Sequence, residues 1–181
     1  MEKMMEMRIH GYGGQGVVTL AQLVASAGLN AGYETQSLPF FGVERRGSAV
    51  KAGVRIDENK IRIRSQSIEP DYLVMMNETL LDLALSEGIA DDGGIIMNTS
   101  NPRDLGRTLY YLDATGIAIE NELMANDSPF INIPMFGAVC KIAGLPKEAI
   151  IETLTKRWPG KVGEKNAKVA LIGYDLVKEY K

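Results

Sequence analysis

The stretch His10–Glu34, HGYGGQGVVTLAQLVASAGLNAGYE, decides how this chain is read. Just before it, MRIH alternates apolar and polar residues, as a short strand does. Gly11, Gly13 and Gly16 follow in the spacing G-x-G-x-x-G. Val17 to Ala31 is then a helix candidate, with apolar residues at Val17, Val18, Leu20, Ala21, Leu23, Val24, Ala27 and Leu29. A strand, a glycine turn and a helix open an α/β sheet. The free N–H groups of the helix N-terminus suit an anion.

The glycines admit three readings at this point. The loop binds NAD or FAD, as in a stand-alone nucleotide-binding oxidoreductase. Or the glycines only make a tight turn in a non-catalytic scaffold, glycine being the default at a sharp bend. Or the loop faces a partner, or a phosphate group held between chains. A complete dinucleotide fingerprint needs an acid about 20 residues on, at the end of the second strand, for the ribose hydroxyls. The nearest acid, Glu34, stands at the start of that strand, and Ser37, Leu38, Pro39 and Phe40 occupy its end. The P-loop pattern has no match.

The first helix has no charged residue, showing only Thr19, Gln22, Ser26 and Asn30 among its apolar positions. A surface helix normally presents a charged face. Cover on more than one side is expected, from this chain or from a partner. ETQSLPFFG reads as a strand entering a loop at Pro39, and VERRGSA as a charged turn. AVKAGVRI and IRIRSQ, separated by DENK, alternate as the arms of an antiparallel hairpin, with Arg62 and Arg64 on one face and Ile61 and Ile63 on the other. DYLVMM is a continuous apolar run, typical of a strand buried on both faces. ETLLDLALSEGIA predicts a helix stopped by Gly88; GIIMN and TLYYLDA predict strands; IAIENELMAN begins a helical stretch. Three helices close the chain, in INIPMFGAVCKIAGL, in PKEAIIETLTKRW and in the final VGEKNAKVALIGYDLVKEY. Alternating strands and helices predict a three-layer α/β/α fold with a mostly parallel mixed sheet and an antiparallel hairpin insertion.

The 181 residues suit a single domain, 1–181, large enough to bury a core. A net charge of -3 gives no basic patch for nucleic acid. No apolar run is long enough for a membrane span, and MEKMMEM lacks the apolar core of an export signal, so a cytoplasmic protein is expected. One cysteine, Cys140, excludes an internal disulfide. One cysteine and one histidine make a zinc site or an iron–sulfur cluster within this chain very hard to build. Any electron-transfer metal must then sit on another chain.

Taken together, GYGGQGVVTLAQLVASA, PFFGVERRGSAVKAGVRID, RIRSQSIEPDYLV and NAKVALIGY resemble the gamma subunit of 2-oxoacid:ferredoxin oxidoreductases, over nearly the whole chain. The spacing of G-G-Q-G to F-G-V-E-R-R-G is far more specific than the glycines alone. FFGVERRG looks more like the pyruvate and branched-chain members than the 2-oxoglutarate ones. The resemblance implies a subunit without chemistry of its own. Thiamine diphosphate, Mg2+, the iron–sulfur clusters and coenzyme A are expected in a complex with alpha, beta and delta subunits, which hands electrons to ferredoxin. A homodimer is conceivable for the isolated chain. Asp91-Asp92-Gly93-Gly94 is a superficial match to a thiamine diphosphate element, but its order is wrong and no Asn-Asn pair follows.

Gly13, Gly14, Gln15 and Gly16 are the candidate anion or partner loop. Phe41, Glu44, Arg45 and Arg46 are interface or coenzyme A-phosphate candidates, because the planar guanidinium fork suits carboxylates and phosphates. Of the adjacent aromatics Phe40 and Phe41, one belongs in the core and the other on an interface. For His10 a structural hydrogen bond is expected rather than proton transfer. Cys140 is expected to be a buried, inert thiol. Asn132 is placed to cap the helix that follows it.

Overall fold

The computed structural model describes residues 4–40, 48–125 and 127–181. Its centre is a seven-stranded sheet in the order β2-β3-β1-β4-β5-β6-β9. These strands are β1 (Met5–Tyr12), β2 (Glu34–Phe40), β3 (Ala49–Asp57), β4 (Tyr72–Met75), β5 (Gly94–Asn98), β6 (Leu109–Leu112) and β9 (Lys178–Glu179). A separate two-stranded ribbon pairs β7 (Met124–Ala125) with β8 (Ser128–Pro129). Five of the seven strands run one way, while β3 and β9 are reversed. The sheet is therefore mixed and mostly parallel, as the sequence leads one to expect.

The helices are α1 (Val17–Asn30), α2 (Leu81–Ser86), α3 (Ala114–Glu120), α4 (Asn132–Ile142), α5 (Lys147–Arg157) and α6 (Lys161–Leu176). Five of them cover one face. There Met7, Ile9, Ala52, Val54, Ile56, Val74 and Ile96 point from alternate strand positions into one large apolar core. The opposite layer is thin. It consists of the short α2, packed on Leu73, Met75, Ile95, Met97 and Leu109, and the segment between β3 and β4.

Beneath that segment the sheet presents charge instead of hydrocarbon. Arg8 and His10 of β1 and Arg55 of β3 are buried there. Arg8 Nη2 donates to Ala84 O at 2.8 Å and Gly88 O at 2.6 Å, and Nη1 to Ile68 O at 3.3 Å. Ala84 and Gly88 bracket the end of α2, where carbonyls lack helical partners and a cation is favoured. Arg55 Nη2 donates to Ser65 O at 2.7 Å, and the guanidinium pairs with Glu6. Two strand arginines thus hold down the covering layer.

Three expectations need correction. Residues 61–66 form no strand: β3 makes its hairpin with β2, its other edge is taken by β1, and no edge remains for a third partner. Backbone oxygens of Ile63 and Ser65 instead accept from Arg55, and Arg62 and Arg64 are exposed. The helical stretch from Ile117 ends at Glu120 and gives way to the ribbon. The last helix stops at Leu176, and β9 closes the sheet edge. Of the two sources of cover expected for the uncharged α1, the chain itself supplies it. The sheet, α4 and α5 pack around it, leaving Gln22, Ser26 and Leu29 exposed.

Arg8→Met should strip the α2 terminus of its donors and leave buried carbonyls unpaired, at a cost of about 3 kcal/mol. Arg8→Lys, which keeps the charge but not the fork, should recover only part of that. Urea denaturation midpoints check both; an Arg8→Met chain as stable as the parent would contradict this role.

Candidate functional site

Two connections leave the sheet in opposite directions. From β1 the chain passes through α1 on one face to β2; from β4 it passes through α2 on the other face to β5. Neighbouring strands β1 and β4 thus form a topological switch point, and the crevice beyond their carboxyl ends is where open α/β sheets bind ligands. A cleft of about 910 Å³ lies there. Gly13, Gly14 and Gln15 line it after β1, Asn77 and Glu78 after β4, Asn98 and Thr99 at the end of β5, and Asp113 after β6.

The glycine loop is locally determined. Gln15 turns back so that its Oε1 accepts from Tyr12 N at 2.7 Å. Gly16 takes φ 81°, a left-handed conformation, immediately before α1. A Cβ there would lie 2.7 Å from Asn132 Nδ2 of α4. Asn132 is the first residue of α4 and makes no side-chain cap; it fills the space that Gly16 leaves. A second recess, of about 340 Å³ and mainly apolar, shares Gly14, Gln15 and Phe130 with the cleft and is walled by Leu123, Trp158 and Val162.

Next to this loop the chain joins its second motif. Tyr12 pairs with Ala49 across β1 and β3, and Gly13 N donates to Ser48 O at 2.9 Å. Phe40, the last residue of β2, pairs with Lys51. The segment holding Phe41, Glu44, Arg45 and Arg46 lies outside the described residues, but both its anchors stand at the glycine-loop edge of the sheet. The dinucleotide reading loses its geometry here. Because β3 lies between β1 and β2, the end of β2 is one strand removed from its place beside β1. Glu34 opens β2 at the far edge. The large cleft shows carboxylates, Glu78 and Asp113, and no cationic side chain among the described residues.

His10 makes the structural hydrogen bond expected of it, accepting at Nε2 from Arg8 Nε at 3.0 Å. Burial first, then the neighbouring guanidinium, push its pKa down to about 4. Cys140 is fully buried in α4, and that burial pushes its thiol well up. Among the described residues no group of three or more His, Cys, Asp or Glu could hold a metal ion, and no helix is long and apolar enough to cross a membrane. A cluster or divalent-ion site does not fit this residue set.

Arg8 and the cleft-lining Asn77, Glu78, Asn98 and Asp113 escaped the sequence reading. Each left a faint signal. Arg8 shares a strand face with His10, opposite Met7 and Ile9; the others stand at or just after the end of an apolar strand run.

A profile described as Pyruvate ferredoxin/flavodoxin oxidoreductase matches residues 6–176. The chain belongs to this family. Pyruvate synthase subunit PorC of Methanocaldococcus jannaschii is 42% identical, over 98% of this chain and 99% of that protein. The pyruvate/ketoisovalerate oxidoreductases common subunit gamma of Thermococcus kodakarensis is also 42% identical, with the same mutual coverage. The crystal structure of pyruvate oxidoreductase subunit PORC from Thermotoga maritima superimposes with a TM-score of 0.82 at 31% identity, covering 99% of both chains. The 2-oxoglutarate:ferredoxin oxidoreductase of Magnetococcus marinus shares the fold at a TM-score of 0.80 and 19% identity, with this unit matching 31% of the longer chain. Within the pyruvate ferredoxin/flavodoxin oxidoreductase family, this chain therefore matches gamma subunits from end to end.

Two measurements test the local account. Gly16→Ala, strained in backbone and crowded by Asn132, should cost about 2 kcal/mol, read as a lowered melting temperature. The folded His10 pKa near 4 lies below the ordinary 6.5, so the unfolded chain binds the proton more readily. Stability is thus fully present above pH 6.5 and is lost as the pH falls towards 4, by on the order of 3 kcal/mol. His10→Gln, which can still accept from Arg8, should flatten that part of the stability–pH curve; an unchanged slope would remove His10 as its source.

Proposed function

We propose that this chain is the gamma subunit of a cytoplasmic 2-oxoacid:ferredoxin oxidoreductase of the pyruvate type, folded as one unit over 1–181. The enzyme decarboxylates a 2-oxoacid oxidatively, transfers the acyl group to coenzyme A and passes electrons to ferredoxin. We place thiamine diphosphate, Mg2+ and the iron–sulfur clusters on other subunits; among the described residues no group of three or more His, Cys, Asp or Glu could hold a metal ion. Alpha, beta and delta subunits are its partners.

The observation that carries this reading is that the glycine loop and the residues flanking the second motif, Phe40 and Ser48, stand at one sheet edge. Gly13 N donates to Ser48 O, which supports a shared partner or ligand for the glycine loop and the segment that holds Arg45 and Arg46. The described lining of the large cleft holds carboxylates and no cation, so it does not attract a pyrophosphate by itself. Phosphate recognition then falls to Arg45 and Arg46, through their forked donors. Gly13, Gly14, Gln15 and Gly16 supply a closely approachable backbone, while Phe41 and Glu44 belong to the subunit contact. Chemistry at the thiamine carbon belongs to the complex; this chain positions and covers.

Arg45→Ala/Arg46→Ala should leave the fold intact. In the reconstituted complex it should raise the coenzyme A KM at least tenfold, a loss of about 1.4 kcal/mol, or prevent assembly on a sizing column. If assembly and coenzyme A dependence both survive, the segment has another role.

A further inference from the structure

Beside the glycine loop, the recess of about 340 Å³ between α1, α4 and the α5–α6 junction holds two amides that the chain leaves unused. Asn132 opens α4 and Asn166 lies on α6, and both line the recess. They are only 6% and 7% exposed, yet neither carboxamide has a hydrogen-bond partner among the described residues. Neither contributes a sealed-in polar atom, so the little that stays reachable of each side chain includes its polar end. The gap that Gly16 leaves, rather than a hydrogen bond, holds Asn132 in place. A nearly buried amide without a partner costs stability, and such a group in a native fold calls for an explanation.

The rest of the lining says what kind of partner fits. Leu123, Phe130, Ile133, Trp158 and Val162 make most of the wall, and none of the lining residues carries a charge. Arg157 lies over the Trp158 ring, 5.6 Å from its centroid, but is not part of the lining. An ion entering here would lose its water without gaining a counter-charge, so the recess selects a neutral ligand. A carboxamide both donates and accepts, whichever way it is turned, so the matching edge also does both. Trp158 and Phe130 supply aromatic surface, which suits a flat ring. The volume falls at the small end of ligand pockets, which run from roughly 300 to 1,000 Å³. We propose that the recess binds a neutral aromatic or heteroaromatic ring that carries an amide-type edge. The ring lies among the apolar walls, and its edge pairs with the unused amides. This site rests on the recess alone, independently of the coenzyme A reading.

Trp158 is the sole tryptophan, so its fluorescence reports on this recess. The full-length chain is titrated at neutral pH with benzamide, with its ionised counterpart benzoate, and with toluene, which keeps the ring and lacks the polar edge. Benzamide is expected to change the emission saturably, with a Kd in the millimolar range or tighter, as a ligand of this size allows. Benzoate and toluene should each bind about tenfold more weakly. Asn132→Leu/Asn166→Leu should weaken benzamide about tenfold, and Asn166→Leu alone, away from the crowded Gly16 contact, should give part of that loss. Toluene bound as tightly as benzamide would make the recess a plain apolar contact and overturn the proposal. So would benzoate as tight as benzamide, an affinity untouched in both variants, or no saturable benzamide binding by fluorescence or calorimetry.

Discussion

The insertion of β3 between β1 and β2 is the constraint on which the rest depends. A strand, glycine turn and helix would ordinarily deliver the next strand beside the first, and the acid at its tip would reach a ribose. Here β2 arrives one place further out, and the chain returns antiparallel through β3 to fill the gap. This registry places Tyr12 against Ala49 and ties Gly13 to Ser48. The glycine loop and the described flanks of the second motif, Phe40 and Ser48, thus come to one edge of the sheet. The same insertion removes the geometry of a dinucleotide site, so one topological fact accounts for what the loop is not and for what it adjoins.

Charge takes over where hydrocarbon runs short. The face beneath the five helices closes with ordinary apolar burial. The other face has only α2, a helix of two turns that offers few apolar residues. Arg8 and Arg55 compensate by donating to backbone oxygens of the covering segment, while Glu87 Oε2, 3.7 Å from Arg8 Nε, is left without a hydrogen-bond partner. Such a layer is less forgiving than an apolar one, because losing one partner strands the others. It also lowers the proton affinity of His10 and fixes its tautomer.

Much of the fold was legible because the signals were local and repeated. The alternation of strands and helices gave the α/β class, and α1 begins at the expected Val17. The errors came where a local pattern met a global occupancy. Ile61-Arg62-Ile63-Arg64 alternates as well as any strand, yet no sheet edge was open to it. The uncharged α1 raised the prospect of a partner because nothing in the sequence says that α4 and α5 return to cover it. At the site, the glycine loop was visible from its spacing, whereas Asn77, Asn98 and Asp113 become neighbours only when three parallel strands end side by side. Arg8 could have been suspected, since a cation at an inward strand position needs an explanation.

The central claim is that this chain performs no redox or carbon chemistry alone yet is required by the subunits that do. Pyruvate- and coenzyme A-dependent ferredoxin reduction, measured for the chain alone, for the remaining subunits alone and for the mixture, tests it directly. Activity confined to the mixture is the predicted result. Turnover by the isolated chain, or full activity of the other subunits without it, would contradict the account.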